Sequence, residues 1–509
     1  MRKASKYIAI LPDRAAPSQD ALGRPALAWA DHRSPDTAET AVAAWREALQ
    51  ARDASRLAFA MVWALGHGIR RDTAVLWMAA EVAARGAILH PAFAAVADAG
   101  RAAAEAEPER ATALLATTAV RLVTALGQAV AESAQTTTSG EATADALLEA
   151  IATRNVGRSK AVAAQAHRAG LPVLDWLQVA AARHPGDAGV CAVAVVKLAD
   201  LLAQLGQEDS EPLVAAVAAA LAQRPEQSAL AQGHQRRLTA LAGRLQAVPA
   251  ADPDKGKLFA EPKFRLHLLG PAEGALKAVL RAVEVGLPHA PIAGSLTLAA
   301  AERLLQLDPK WDKAEDTLED RSDAEQVLVL CSAVRQLQRS VPAEEWLSLL
   351  LFATTAVAEL AALELPASQR QPLPDPLAIH QTWDHGPEIA KIVTAFLARD
   401  GERSVAALRA YFLHVLPEQP LLDQLREVGL RDRFGDVWLQ LSTANLLHAA
   451  LDELAALGSH PHRELVLAAA LRSAATQRHG RGANRVVESI LSWQTSGWRP
   501  TATLGGGPL

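Results

Sequence analysis

The tightest constraint on this chain is a helix ending that occurs twice. The stretch SKAVAAQAHRAGLP (residues 159–172) aligns without gaps on ALKAVLRAVEVGLP (residues 275–288). In each, an apolar helical run meets Gly-Leu-Pro. Glycine supplies the left-handed backbone that closes a helix, and leucine packs back on the last turn. Proline has no N–H to donate and prevents continuation. An alanine triplet comes after each stop, at 180–182 before Arg183 and at 299–301 before Glu302-Arg303. The two spacings differ by three residues, which predicts a loop of changed length. We read the pair as a duplicated helical unit. Its second copy opens a longer stretch, residues 275–338, around which the neighbouring helices stack.

Composition says what the rest must be. Half of the residues are hydrophobic, but only 2 are Tyr and 8 are Phe. Alanine and leucine favour helix, and alanine faces let helices approach closely. The expected fold class is therefore all-α, a large multi-helix array of stacked helical hairpins with a weak internal duplication. The polar, Gly- and Pro-bearing runs at 133–140, 248–262 and 365–376 read as linkers. They divide the chain into an irregular segment (1–38), an N-terminal helical block (39–135), a block with the first repeat (144–247) and a block with the second (263–365). A C-terminal helical block (377–496) and a disordered tail (497–509) complete it. Within the second block, Leu198, Leu201, Leu202 and Leu205 follow the spacing of an amphipathic helix. Asp72 is placed to cap the helix that carries Trp77, and residues 108–132 read as one helix.

The same counts exclude several functions. The net charge is −5 and no basic tract is present, so nucleic acid is not expected as a partner. The two cysteines, Cys191 and Cys331, stand in apolar runs far apart. They predict buried thiols in a reducing compartment and are too few for a zinc ribbon or a cysteine-ligated cluster. The apolar run before Pro12 is too short for a secretory signal, and no uninterrupted membrane-spanning run stands out, so the expected location is the cytoplasm. Phosphate-loop, nucleophile-elbow and HExxH motifs are missing. Eight of the 11 tryptophans, among them Trp45, Trp63, Trp77 and Trp346, stand mostly in apolar helical runs and read as core.

One polar grouping has the spacing of metal ligands. His380 and Asp384 are four residues apart and share a face if helical, and His385 comes directly after. Gly386-Pro387 breaks or starts a helix at that point, so the competing reading is a helix N-terminus capped by Asp384. His460-Pro-His462 reads as an exposed turn, and the basic loop at 478–485 as a surface loop.

Three further stretches together resemble a bacterial helical family that accompanies, or is fused to, Rieske-type [2Fe-2S] domains. Residues 187–205, DAGVCAVAVVKLADLLAQL, are similar to a family segment that reads Gly-His-Ala, a hydrophobic run, then Asn-Lys-Ala. Gly189 and Lys197 match, and Val190 stands at the histidine. Lys310-Trp311-Asp312 and Cys331-Ser332-Ala333 resemble a second signature, with Gln326 about where its histidine belongs. Arg433-Phe434 through Trp438-Leu439 resembles a third, again without the histidine. The resemblance implies an all-α fold and a redox neighbourhood. Valine and glutamine do not replace imidazole as neutral nitrogen ligands, so the loss argues against a metal or catalytic role.

The reading these observations favour is a non-catalytic helical scaffold or interaction protein, derived from a redox-associated family, with protein partners and no cofactor. Two alternatives stay open. One is a divergent metal-dependent oxidoreductase using iron or zinc, with ligands from His380, Asp384, His385 and also His448. The other is a generic helical-repeat adaptor.

Overall fold

The computed structural model describes residues 38–51, 53–66, 68–126, 141–205, 210–246, 249, 252, 254–255, 259, 261–308, 318–370, 372–378, 385–398, 400–430 and 437–476. Five helices come first: α1 Ala38–Gln50, α2 Ala54–Gly66, α3 Arg71–Ala84, α4 Pro91–Glu105 and α5 Pro108–Ala125. Six more come next: α6 Ala144–Ala152, α7 Val156–Arg168, α8 Val173–Arg183, α9 Val190–Leu205, α10 Glu211–Gln223 and α11 Ala229–Gln246. Five follow these: α12 Glu261–Leu268, α13 Ala272–Glu284, α14 His289–Leu305, α15 Leu318–Leu337 and α16 Ala343–Glu359. The last five are α17 Gly386–Leu397, α18 Gly401–Leu413, α19 Glu418–Leu430, α20 Val437–Leu457 and α21 Glu464–Thr476. The fold is all-α, and among the described residues the only β feature is a single antiparallel bridge between Leu307 and Glu364.

Local chemistry explains the boundaries. Thr143, Asn155 and Asp400 each accept a backbone N–H three residues on, at the starts of α6, α7 and α18. The duplicated stop forms the same motif in both copies. After α7, Gly170 N donates to His167 O and Leu171 N to Ala166 O, both at 3.0 Å. After α13, Gly286 N donates to Val283 O at 2.8 Å and Leu287 N to Ala282 O at 3.0 Å. Both glycines are left-handed, with φ of 69° and 77°.

Beyond the stop, the chain departs from the sequence reading. α8 and α14 both begin directly after the proline, so no loop absorbs the spacing change. The extra residues lie inside α14. Three residues are close to one turn, so each triplet stays buried. Asp72 is also not a cap: α3 begins at Arg71, and the Asp72 carboxylate instead accepts from Arg70 and from Thr73 N. α5 ends at Ala125 rather than near 132.

One hydrophobic core, lined largely by alanine, leucine and valine, runs through helices from α1 to α21. Trp45, Trp63 and Trp346 are buried in it, and Trp346 Nε1 donates to Val334 O at 2.8 Å. Cys191 and Cys331 are buried and free, as expected. Leu198 and Leu201 face the core from α9, with Leu202 and Leu205 half-buried beside them. Residues 187–205 and 343–363 are long and apolar enough to cross a membrane; here 56% and 78% of their most apolar windows are packed inside the protein. Four helices matter for the site: α4 packs on α9, α9 on α15, α15 on α20, and α20 back on α4.

Candidate functional site

That ring of helices encloses a cavity of about 250 Å3. α4 brings Phe93 and Ala94 to it, with His90 and Pro91 at its start. α9 brings Val190, Val193 and Ala194, α15 brings Gln326, and α20 brings Asn445.

The entry to α9 is held by unusual backbone. Gly186, Ala188 and Gly189 all have positive φ, at 73°, 50° and 75°. The Asp187 carboxylate holds this turn by accepting from Gln227 N, Ser228 N and Ser228 Oγ at 3.0, 3.0 and 2.6 Å. Gly189 lies so close to α15 that a Cβ there would meet Leu330 Cδ1 at 2.4 Å. Glycine is required at 189 on two counts, its φ and the approach of α15. Directly after this turn comes Val190, which lines the same cavity as Gln326.

Asn445 sits in the cavity wall. Its Nδ2 donates to Pro91 O at 3.0 Å, and its buried Oδ1 has no hydrogen-bond partner among the described residues. One helical turn deeper, the same helices bury a cluster of charges. Lys197 Nζ lies 2.7 Å from Asp98 Oδ1 and 3.4 Å from Asp200 Oδ2. Arg101 bridges Asp98, at 3.6 Å, to Asp452 on α20, at 2.9 Å. Burial pushes the Asp98 carboxyl up, but Lys197, His448 and Arg101 together hold it below the usual carboxylate range. Asp200 goes the other way, because its burial outweighs Lys197 and Arg101. Burial keeps His448 below its ordinary value against the pull of Asp98. Asp98 Oδ2 has no hydrogen-bond partner among the described residues. Three carboxylates, Asp98, Asp200 and Asp452, thus lie among Lys197, Arg101 and the His448 imidazole.

The metal candidates named from the sequence are not brought together by anything described. His380 and Asp384 lie outside the described residues. His385 occupies the N-cap position of α17 without a side-chain cap bond, and lines a different cavity of about 510 Å3 with Ile389, Val393 and Asp423. His448 packs in the charge cluster instead. Of the stretches that resemble the Rieske-associated family, Val190 and Gln326 meet in the cavity, and Cys331 and Ser332 are buried on α15. Lys310, Trp311, Asp312, Arg433, Phe434 and the side chains of Trp438 and Leu439 lie outside the described residues. The residues that line the cavity do not make up a metal-ligand set. Val190 offers no donor atom, Gln326 and Asn445 offer weak neutral amides, and His90 is one imidazole. Among the described residues, no three His, Cys, Asp or Glu side chains are grouped as a metal ion requires.

Asp98 and Asn445 escaped the sequence reading. Their signal was visible as a lone acid in FAAVADAGRAAA and a lone amide in LSTANLLHAAL. A single polar residue inside an otherwise apolar helix face marks a buried group that needs a partner. No family model, no curated protein and no solved structure matches this chain.

Proposed function

We propose that this chain is a non-catalytic helical scaffold, derived from the Rieske-associated helical family and acting through contacts with other proteins. One observation carries the reading. The two described positions that resemble signature histidines converge on a single cavity, and they carry Val190 and Gln326. Convergence supports the resemblance, because positions descended from one ligand set would have to line one site. The residue types support loss of the ligand set, since neither side chain replaces an imidazole. The scaffold reading carries with it a cytoplasmic location, a protein partner, and no nucleic acid, membrane or cofactor.

The test is metal analysis of the purified full chain beside the double variant Val190→His/Gln326→His. The wild type is expected to hold no stoichiometric iron or zinc, and the variant to gain a cobalt or zinc site in the cavity. About one metal per chain in the wild type, lost on His380→Ala/His385→Ala, would overturn the reading in favour of a metal-dependent oxidoreductase. A variant that folds and gains no metal would remove the argument from convergence. Chemical cross-linking in the source cell is expected to trap the chain with a protein partner at fixed stoichiometry; trapping of the chain alone counts against a scaffold.

A further inference from the structure

The second copy of the helix stop ends beside a groove of about 600 Å3 between α12 and α13. Its floor is apolar. Phe259 and Phe264 meet at 5.2 Å between ring centroids, and Ala278, Ala282 and Val285 continue the floor along α13 to Leu287 of the stop. From Gly274 to Val285 the helix runs about 16 Å. The stop itself is held from outside the groove: Asp252 N donates to Gly286 O at 2.8 Å, and Lys255 Nζ to Val285 O at 2.6 Å.

The rim is basic. Lys277 and Arg281 stand one turn apart on α13, and His267 lies at the end of α12. Among the described residues Lys277 pairs only within its own helix, with Glu273 at 2.7 Å, where both side chains are exposed and the pair is weak. Arg281 makes no ion pair among the described residues. The duplication makes these two cations informative. The first copy has Ala161 and Gln165 at the matching positions, so the shared stop does not need the charges. They belong to the groove.

An apolar floor of this length beside two adjacent cations suits one chemistry. A small anion would leave the floor bare, and a hydrocarbon alone would leave Arg281 unused. We propose that the groove binds a long-chain carboxylate, its tail along Ala278, Ala282 and Val285 and its head between Lys277 and Arg281. The proposal goes beyond the scaffold reading and stands apart from it.

The test is titration of the full chain with cis-parinarate, followed by displacement with myristate below its micelle concentration. Saturable binding of one molecule per chain is expected. Lys277→Gln/Arg281→Gln should weaken it at least tenfold and abolish the preference for myristate over the uncharged C14 alcohol. Gly274→Trp should block the groove; an added Cβ there meets nothing within 4 Å, so the fold is kept, as an unchanged far-UV spectrum would show. No saturable binding to the wild type, or binding that both variants leave intact, would overturn the proposal.

Discussion

Lys197 Nζ on α9 lies 2.7 Å from Asp98 Oδ1 on α4, and neither side chain is more than 5% exposed. The contact joins residues 99 positions apart in the chain. Removing Lys197 leaves Asp98 buried with only the longer Arg101 contact at 3.6 Å, and breaking a buried pair typically costs about 3–5 kcal/mol. Lys197→Met is expected to lower unfolding stability by that amount in urea. Lys197→Met/Asp98→Leu should recover much of the loss, because an apolar pair of similar volume needs no solvation. A double variant no more stable than the single would show that Arg101 and Asp452 depend on Asp98.

Acid should destabilise the fold before the ordinary carboxylates titrate. Burial, with Arg224 for His184 and Arg237 for His234, lowers these two histidines from 6.5 to about 4. The unfolded chain takes up each proton near 6.5 and the folded chain only near 4. Their contribution is therefore complete above 6.5 and is lost as the pH falls through that window. His234 rests edge-on against Phe352 at 5.0 Å, with Nε2 3.3 Å from Ser348 Oγ. His234→Gln should remove on the order of 2–3 kcal/mol of the stability difference between pH 7 and pH 4.5, measured by urea unfolding at both values. An unchanged difference would mean that His234 is protonated in the folded chain.

Both thiols should be inert in the folded protein. Burial pushes the Cys191 thiol up to about 12, and burial with nearby Glu453 raises Cys331. A thiol reagent at pH 8 is expected to label neither cysteine in native buffer and both in denaturant. Fast native labelling of either would show that its helix opens.

Gly189→Ala should be among the most damaging single-methyl changes. The new Cβ would meet Leu330 and would force a left-handed φ on alanine. A loss of about 2 kcal/mol or more is expected from thermal unfolding, together with a change in the cavity beside Val190. Gly274→Ala, in open space, is the control and should be neutral or stabilising.

The fold was legible because its signals are local. Helix stops, caps and stripes depend on residues three or four apart, and the Gly170 and Gly286 motifs form as their sequence implies. The three-residue offset after the stops was misread because a helical turn absorbs three residues as easily as a loop does. The cavity was not legible, since it exists only where α4, α9, α15 and α20 meet. Nothing local in Asp98, Lys197 and Asn445 says that they will share one interior. The His380 and Asp384 spacing shows the converse, because periodicity places them on one face only if a helix forms there.

The alanine that lines this core has a consequence for how the chain tolerates change. Where most cores risk losing volume, a core built from side chains this small risks gaining it. Ala299, Ala300 and Ala301 are each fully buried, so a larger residue there adds volume to a packed interior. Such insertions typically cost about 1–3 kcal/mol apiece. Drift in this protein is therefore steered by crowding: surviving variants should cluster at leucines that can shrink, and should be rarest along the alanine seams that let the helices touch.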